Sequence, residues 1–424
     1  MHLSTQEISL NYLIKTLPLE KSSPQLESII NTLDNYITGA IEQEDFLKMK
    51  LLISHCEKLL THGHLLSNIT IASIQGTLGC MYYYLSDYSK SKQLLEESQT
   101  TFNKYNSANH GKSGDILVYL GNVYRKLGYY EKARVLLEQS LLAYQKHSIF
   151  SAKAARALGY LGVVYRNLGD FKKATHLMEQ SFNFYKRTPE NKIGYAWISA
   201  HLGNTYMILG QYEKARTLLE QSLVIYKNRS KEYVGVGWVL GYLGNVYRKL
   251  GHYEKARVLL EQSLLIHRKY FSKNHVYIAA SLSYLGNVYK DLRDHTKAKE
   301  LLEKSLIVYQ KTYGKEHIET ARVLNNLGQV YLLEGHLEAS EHFMKRALAI
   351  FQSKKHPESY KPLESLADFY LKKSMQRMTE QSKDFKNQAI DSLKKALEIL
   401  KIFVPNTSSH IARIQLKLKN LEDA

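Results

Sequence analysis

Four asparagines recur at one place in this chain: Asn122, Asn204, Asn245 and Asn287. Gln329 and Asp368 hold the same place further on, and Cys80 and Val163 interrupt it. Three residues later stand Tyr83, Arg125, Arg166, Met207, Arg248 and Lys290, with Lys126 and Lys249 beside them. A carboxamide offers one acceptor and two donors, so it can pair with both the C=O and the N–H of an extended backbone without reading its side chains. Arginine and lysine then select carboxylate or phosphate groups. That is the chemistry of holding an acidic or phosphorylated segment. A second origin stays open. The stretches 121–142 and 244–265 are nearly identical, so duplication alone could have copied Asn and Arg, and an Asn beside a helix can also bond locally.

Other chemistries do not assemble. Gly111-Lys112-Ser113 echoes a phosphate loop, but Asn106 stands where that loop needs glycine, and no strand precedes it. Gly235, Gly237 and Gly241 have the wrong spacing for a dinucleotide turn. His62 and His64 lie near Cys56 without completing a four-ligand metal set. The other histidines look scattered, and no Ser/His/Asp or paired-carboxylate arrangement stands out. The expectation is a protein that is not an enzyme and needs no cofactor or metal.

The elements that position the asparagines come from a repeated phrase, Leu120-Gly121-Asn122-Val123-Tyr124-Arg125-Lys126-Leu127-Gly128. Versions begin at Leu78, Leu161, Leu202, Leu243, Leu285 and Leu327, with spacings of 41 or 42, and a weaker eighth at Leu366. Such a fixed period predicts a solenoid. In the second repeat Leu117, Leu120, Gly121, Tyr124 and Leu127 share one helical face. Gly128 follows where a helix end needs a left-handed residue. Ala133, Leu136, Leu137, Ser140, Leu141 and Tyr144 then mark a second helix. Each repeat therefore reads as helix A, tight turn, helix B. Gly121, Ala133 and Ser140 are small, which lets the pair approach closely. Ser86 and Arg293 replace the turn glycine in the first and sixth repeats, which predicts looser turns there. The repeat tyrosines, Tyr82, Tyr124, Tyr165, Tyr206, Tyr247, Tyr289 and Tyr331, are expected in the core.

The pattern Leu-Gly-x-x-Tyr, Gly, Tyr-x-x-Ala, Ser/Ala-Leu resembles the tetratricopeptide repeat. The long period, and the stretch Tyr313-Gly314-Lys315-Glu316-His317 through Leu324-Asn325-Asn326-Leu327-Gly328, resemble its kinesin-light-chain type. The resemblance implies an all-α fold: a right-handed superhelical solenoid of about eight helix-turn-helix repeats with helical caps. It divides the chain into a cap over 1–68, an array over 69–402, and a capping helix over 403–424. Ser23-Pro24 is a helix start, 44–62 reads as a helix, Ser374–Asp384 is an insertion, and Ser408 or Ser409 caps the last helix. The resemblance also implies that the far side of helix A lines a concave groove. Asn122, Asn204, Asn245 and Asn287 match groove asparagines, and Asn325 and Gln329 join the candidate set. Trp197 and Trp238, five residues before their repeat leucines, fall towards the groove. They read either as a clamp for an apolar side chain or as packing against a neighbour.

Composition sets the partner class. The net charge is +18, which favours acidic or phosphorylated proteins and peptides, nucleic acid, or an anionic membrane surface, unless it serves solubility alone. The leading expectation is an interaction scaffold for an acidic peptide segment. The alternative is a nucleic-acid-binding or regulatory protein using the basic surface. No run of about 18 apolar residues predicts a membrane span. Cys56 and Cys80 both sit in apolar, helix-like stretches and read as free buried thiols. With no secretory signal, the expected compartment is cytoplasmic, with delivery into another cell left open.

Overall fold

The computed structural model describes residues 36–37, 39, 46–105, 110–145, 151–230, 233–376 and 380–423. Ser23-Pro24 lies outside them. Two compact parts, Met1–Ala157 and Leu158–Ala424, are distinguished. All the regular structure of the described residues is helical. A first helix, α1 (Phe46–Thr61), precedes the array. The A/B pairs are α2 (Asn68–Tyr84) with α3 (Tyr88–Lys104), α4 (His110–Lys126) with α5 (Tyr130–Gln145), and α6 (Ala152–Leu168) with α7 (Phe171–Arg187). They continue as α8 (Lys192–Ile208) with α9 (Tyr212–Arg229), and α10 (Val234–Lys249) with α11 (Tyr253–Tyr270). Next come α12 (Val276–Asp291) with α13 (His295–Tyr313), α14 (Ile318–Glu334) with α15 (Leu337–Ser353), and α16 (Tyr360–Met375) with α17 (Glu380–Phe403). A last helix, α18 (Ser409–Glu422), stands alone. The chain is thus an all-α solenoid of tandem helical hairpins.

Each A/B pair closes around the small residues. A Cβ on Gly244 would lie 2.6 Å from Leu260 Cγ and 3.2 Å from the Ala256 carbonyl, so only glycine admits helix B at this distance. The small serine of helix B does more than save space. Ser222 Oγ donates to Ala196 O at 2.7 Å, Ser263 to Gly237 O at 2.7 Å, and Ser305 to Ala279 O at 2.8 Å. A buried hydroxyl thereby spends its donor on a carbonyl of the paired helix A.

The repeat tyrosines extend beyond the core. Tyr247 Oη donates to Glu220 of the preceding helix B at 2.8 Å, while Lys255 lies 3.8 Å from the ring centroid. Tyr289 repeats the arrangement with Glu261 and Lys297, and Tyr206 with Glu179 and Lys214. Each ring is packed while its hydroxyl ties one repeat to the next. Burial and the Glu179 hydrogen bond raise the Tyr206 phenol above its usual value.

The turns at Ser86 and Arg293 are not looser, contrary to the expectation from sequence. Arg293 takes φ 66°, beside 85° at Gly251, and makes the same pair of bonds: its N–H to Lys290 O at 3.1 Å and the Asp294 N–H to Tyr289 O at 2.9 Å. Ser86, at φ 62°, does likewise with Tyr83 and Tyr82. The tertiary frame imposes the left-handed turn, and a residue with a Cβ bears roughly 1–2 kcal/mol of strain there. Arg293→Gly should therefore raise stability by about 0.5–1 kcal/mol, after the extra freedom that glycine gives the unfolded chain. Urea unfolding of both forms checks this, and a less stable variant would contradict it.

Three histidines that look scattered in sequence share a repeat position. His275 and His317 cap the helices that open the sixth and seventh repeats, and His356 caps the short 3-10 turn Pro357–Ser359 before α16, each Nδ1 accepting a backbone N–H two residues on at 3.2 Å. Phe271 stacks on His275 at 3.9 Å, and Tyr313 on His317 at 4.4 Å. The insertion predicted at 374–384 lengthens the eighth helix B instead of forming only a loop, for α17 begins at Glu380 and has 24 residues. Cys56 and Cys80 are both buried and free.

Ser408 caps α18, and this helix does not contact only its sequence neighbours. Within the second part it returns to the turn between α8 and α9. His410 Nε2 lies 3.0 Å from Ile208 O, and Ser409 Oγ donates to Gly210 O at 3.4 Å. Ile411, Ile414 and Leu418 share one buried cluster with Leu393, Ala396, Phe171 and Leu209. The end of the array is thus fastened to its fourth repeat.

Candidate partner-binding face

Within the second part, consecutive A helices from α8 to α16 approach one another more closely than consecutive B helices do. The A helices therefore form the inner wall. Their inward rows are fixed by place in the phrase. Trp197, Trp238, Arg322 and Lys361 stand five residues before the repeat leucine. Ser283, Asn325 and Glu364 stand two before it. Asn204, Asn245, Asn287, Gln329 and Asp368 stand two after it.

The structure brings the predicted Asn/Arg rows together on this wall, but ties most of them to one another. Arg248 donates through Nε to Asn245 at 3.2 Å and through Nη1 to Asp291 of the next helix A at 2.7 Å. Asn245 Nδ2 lies 3.3 Å from Met207 Sδ, one repeat back. Lys290 donates to Gln329, and Gln329 Nε2 donates to Ser365 Oγ at 2.7 Å. Arg166 reaches His201 O and Thr205 Oγ1, each at 3.4 Å. At the end of the wall, Arg413 of α18 binds Glu364 at 2.7 Å and Lys417 binds Asp368 at 2.8 Å. In the first part Asn122 donates to Val118 O at 3.0 Å and accepts from Arg125 at 3.1 Å, and Arg125 also reaches Tyr83 Oη at 3.4 Å. Lys126 is half-buried there. Much of the Asn/Arg pattern is accordingly a seam between A helices.

Some groups on the wall are not consumed by the seam. Asn287 Nδ2 donates to Ser283 O at 3.1 Å, but its Oδ1 is buried without a donor, as is Asn325 Oδ1. Asn204 is 7% exposed. Trp197 packs against the preceding repeat. Its ring lies 4.6 Å from Tyr160, and a Cβ on Gly159 would come within 2.5 Å of it. Only 9% of Trp197 is exposed, which leaves little ring for a ligand. Trp238 is half-buried, 5.2 Å from the Tyr277 ring.

The electrostatics of the wall are set by enclosure. Burial pushes the Lys290 ammonium down to about 8, against the pull of Asp291. Burial alone would raise the Glu358 carboxyl, but Arg322 at 2.7 Å and Lys361 at 3.0 Å outweigh it and hold it well below the usual range. Arg322, Lys361 and Glu364 were missed in the sequence, although they occupy the same rows as the tryptophans and Asn325. Their signal was positional. A row chosen in one repeat has to be followed into the others.

The tetratricopeptide repeat profile matches in six overlapping stretches that together run from residue 70 to residue 353. The chain belongs to the tetratricopeptide repeat family. Among solved structures it is similar to NprR in complex with its cognate peptide NprX, at 15% identity and a TM-score of 0.57, covering 86% of this chain and 99% of that one. It is also similar to a Rap protein complexed with Competence and Sporulation Factor, at 13% identity and a TM-score of 0.53, covering 83% and 97%. Similarity extends to the nearly identical repeats of a protein described as a kinesin light chain of Podosopora anserina, at 24% identity and a TM-score of 0.38, covering 49% and 99%. No curated protein matches. Among the described residues, no helix is long and apolar enough to cross a membrane, and no group of three or more His, Cys, Asp or Glu side chains could hold a metal.

Proposed function

We propose that this chain is a non-enzymatic scaffold that holds an acidic, extended or helical segment of a partner protein on the inner wall of its A helices. NprR, which has this fold, forms a complex with its cognate peptide, so the fold admits a peptide ligand. The observation that carries the reading is chemical. Asn287 and Asn325 keep buried carbonyl oxygens without donors, on a wall whose cations outnumber its carboxylates. An unpaired buried acceptor costs free energy, and the reading requires the two shielded carboxamides to rotate outward so that a peptide backbone can supply N–H donors. The seam gives the binder rigidity, which lowers the ordering cost of association. The nucleic-acid alternative is less favoured, because few aromatic faces on the wall remain open for bases.

Affinity capture from the native cell would supply the partner segment. Asn287→Ala combined with Asn325→Ala should then weaken it by roughly tenfold, from two hydrogen bonds worth about 0.5–1.5 kcal/mol each. Helical content and melting should stay unchanged, since only the Asn287–Ser283 bond is lost inside the fold. An unaltered affinity would overturn the backbone-pairing part of the reading. A steep loss of nucleic-acid binding with salt would favour the alternative.

A further inference from the structure

The turns that join helix A to helix B share one backbone form, but two of them are covered. A Cβ on Gly251, in the fifth repeat, would meet nothing within 4 Å, and the same holds for Gly335 in the seventh. A Cβ on Gly210, in the fourth, would lie 2.6 Å from Ser409 Oγ and 3.1 Å from the Ser409 nitrogen. A Cβ on Gly169, in the third, would lie 2.8 Å from Pro357 Cγ and 3.3 Å from Phe403 Cδ1. The eighth repeat and the start of α18 thus press on the turns of the third and fourth repeats. Phe171 and Leu209, beside those turns, share a buried cluster with Tyr360, Val404 and Ile411. The second part is closed on itself.

One side chain bridges the closure through both of its nitrogens. His410 is 3% exposed. Its Nε2 lies 3.0 Å from the Ile208 carbonyl, and a carbonyl only accepts, so Nε2 carries the proton. Its Nδ1 lies 3.4 Å from Arg413 Nη1, and a guanidinium only donates, so Nδ1 keeps its lone pair. The imidazole is therefore neutral, in one tautomer. Arg413 is held in place, for its Nε and Nη2 donate to Glu364 at 2.9 and 2.7 Å. A second proton would have to go on Nδ1, against the donor that Arg413 aims at it. The other groups around the ring are the Tyr212 phenol of α9, Tyr360 and Lys361 of α16, and Lys249 of α10. Glu364 is spent on Arg413 and Lys417. Burial first, then repulsion from Arg413, Lys249 and Lys361, outweigh the Ile208 bond and keep the ring from protonating near its usual value.

We propose that α18 is a clasp that closes the second part onto its fourth repeat while His410 is neutral, and that a proton on His410 releases it. α18 itself stays on the eighth repeat, because Arg413 and Lys417 still bind Glu364 and Asp368 of α16. Only the contact with the turn at Gly210 parts, and the inner wall between the fourth and eighth repeats opens. Freed from the clasp, the imidazole titrates near its ordinary value of about 6.5. Below that value the released form binds one more proton than the clasped form, so each further pH unit favours release by about tenfold. The clasp stands on the contacts of the chain with itself and does not depend on what the wall binds.

Amide hydrogen exchange of the full-length protein tests this, because the chain carries its own reference. Leu209, Gly210 and Gln211 make the same backbone bonds as Leu250, Gly251 and His252, but only the first turn is covered. After correction for intrinsic rates, the fourth-repeat turn should exchange more slowly than the fifth-repeat turn at pH 7.5. Between pH 7.5 and pH 5.5 that excess protection should fall about tenfold. His410→Gln, whose amide still donates to Ile208 O but takes no proton, should keep the excess at both pH values. Gly210→Arg should abolish it at both, while Gly251→Arg, at the uncovered turn, should leave it intact. Arginine suits the turn itself, as Arg293 shows in the sixth repeat. Equal exchange of the two turns in wild type at pH 7.5, or an excess that survives Gly210→Arg, would overturn the clasp. An excess that does not change with pH, or that falls equally in His410→Gln, would overturn its release by a proton.

Discussion

Glu358→Ala should lower the stability of the second part by about 3 kcal/mol, the low end of the range for breaking a buried ion pair. Glu358 is 3% exposed and receives Arg322 Nε at 2.7 Å and Lys361 Nζ at 3.0 Å. Its removal takes from Lys361 its ion-pair partner, and leaves Arg322 with Glu319 alone. The low end applies because Arg322 keeps 29% of its side chain exposed, so water screens part of the loss. The damage should also spread. In a stacked array each interface stabilises its neighbours, and Glu358 sits where α15 hands over to α16. Arg322→Met combined with Glu358→Ala should recover part of the loss, because no cation is then stranded at Arg322. Chemical unfolding of the two single variants and the double would show a coupling of roughly 1–2 kcal/mol. Strict additivity would mean that the pair does not act as a unit.

Acid should unfold this protein well above the range in which carboxylates titrate. His267, His356 and His410 are each held by burial at about 3, below the usual histidine value. An unfolded chain takes up those three protons near pH 6.5. Between about 6.5 and 3 the unfolded state therefore binds more protons than the folded one, and stability falls as the pH falls. At pH 4 each imidazole would cost about 3 kcal/mol, and three together rival the stability of a whole domain. Glu358 and Glu364, also held low, add to the loss in the same direction below about pH 4.5. The urea midpoint should drop steadily from pH 7 to pH 4.5. His356→Asn, which keeps a capping side chain, should remove about a third of that slope. A midpoint independent of pH over this interval would contradict the buried, neutral imidazoles. At the other end a buried lysine acts with the same sign, because again the unfolded state binds more protons. With Lys290 held at about 8, stability should rise with pH between about 8 and 10.5.

The stack was legible in the sequence because its rules are local. The phrase at Leu120 and its copies carries helix period, turn glycine and close-approach glycine together, and each works within one hairpin. What was not legible depends on the next repeat. Arg293 reads as a broken turn until the neighbouring repeats force it into the left-handed region. His275, His317 and His356 read as scattered because their shared role, capping a helix on an aromatic ring, lies in loops outside the phrase. The Asn and Arg rows lie on the A helices, as their spacing predicts, and local bonding was one of the readings left open for them. Whether Arg248 faces a ligand or Asp291 depends on the residue one repeat later, at the place that holds Lys249 in its own repeat. The return of α18 to Gly210, a contact spanning 199 residues, leaves no trace in any periodic pattern.

The central claim is that the partner lies on the inner wall. The most direct measurement compares the affinity of the captured partner segment for three full-length proteins: wild type, Asn287→Ala with Asn325→Ala on the A helices, and Val224→Ala with Leu265→Ala on the B helices. Val224 and Leu265 are 59% and 70% exposed, so their loss should not disturb the fold. The account predicts roughly tenfold weaker binding for the inner pair and wild-type binding for the outer pair. Weakened binding by the outer pair with the inner pair unaffected would contradict it and move the partner to the helix B surface.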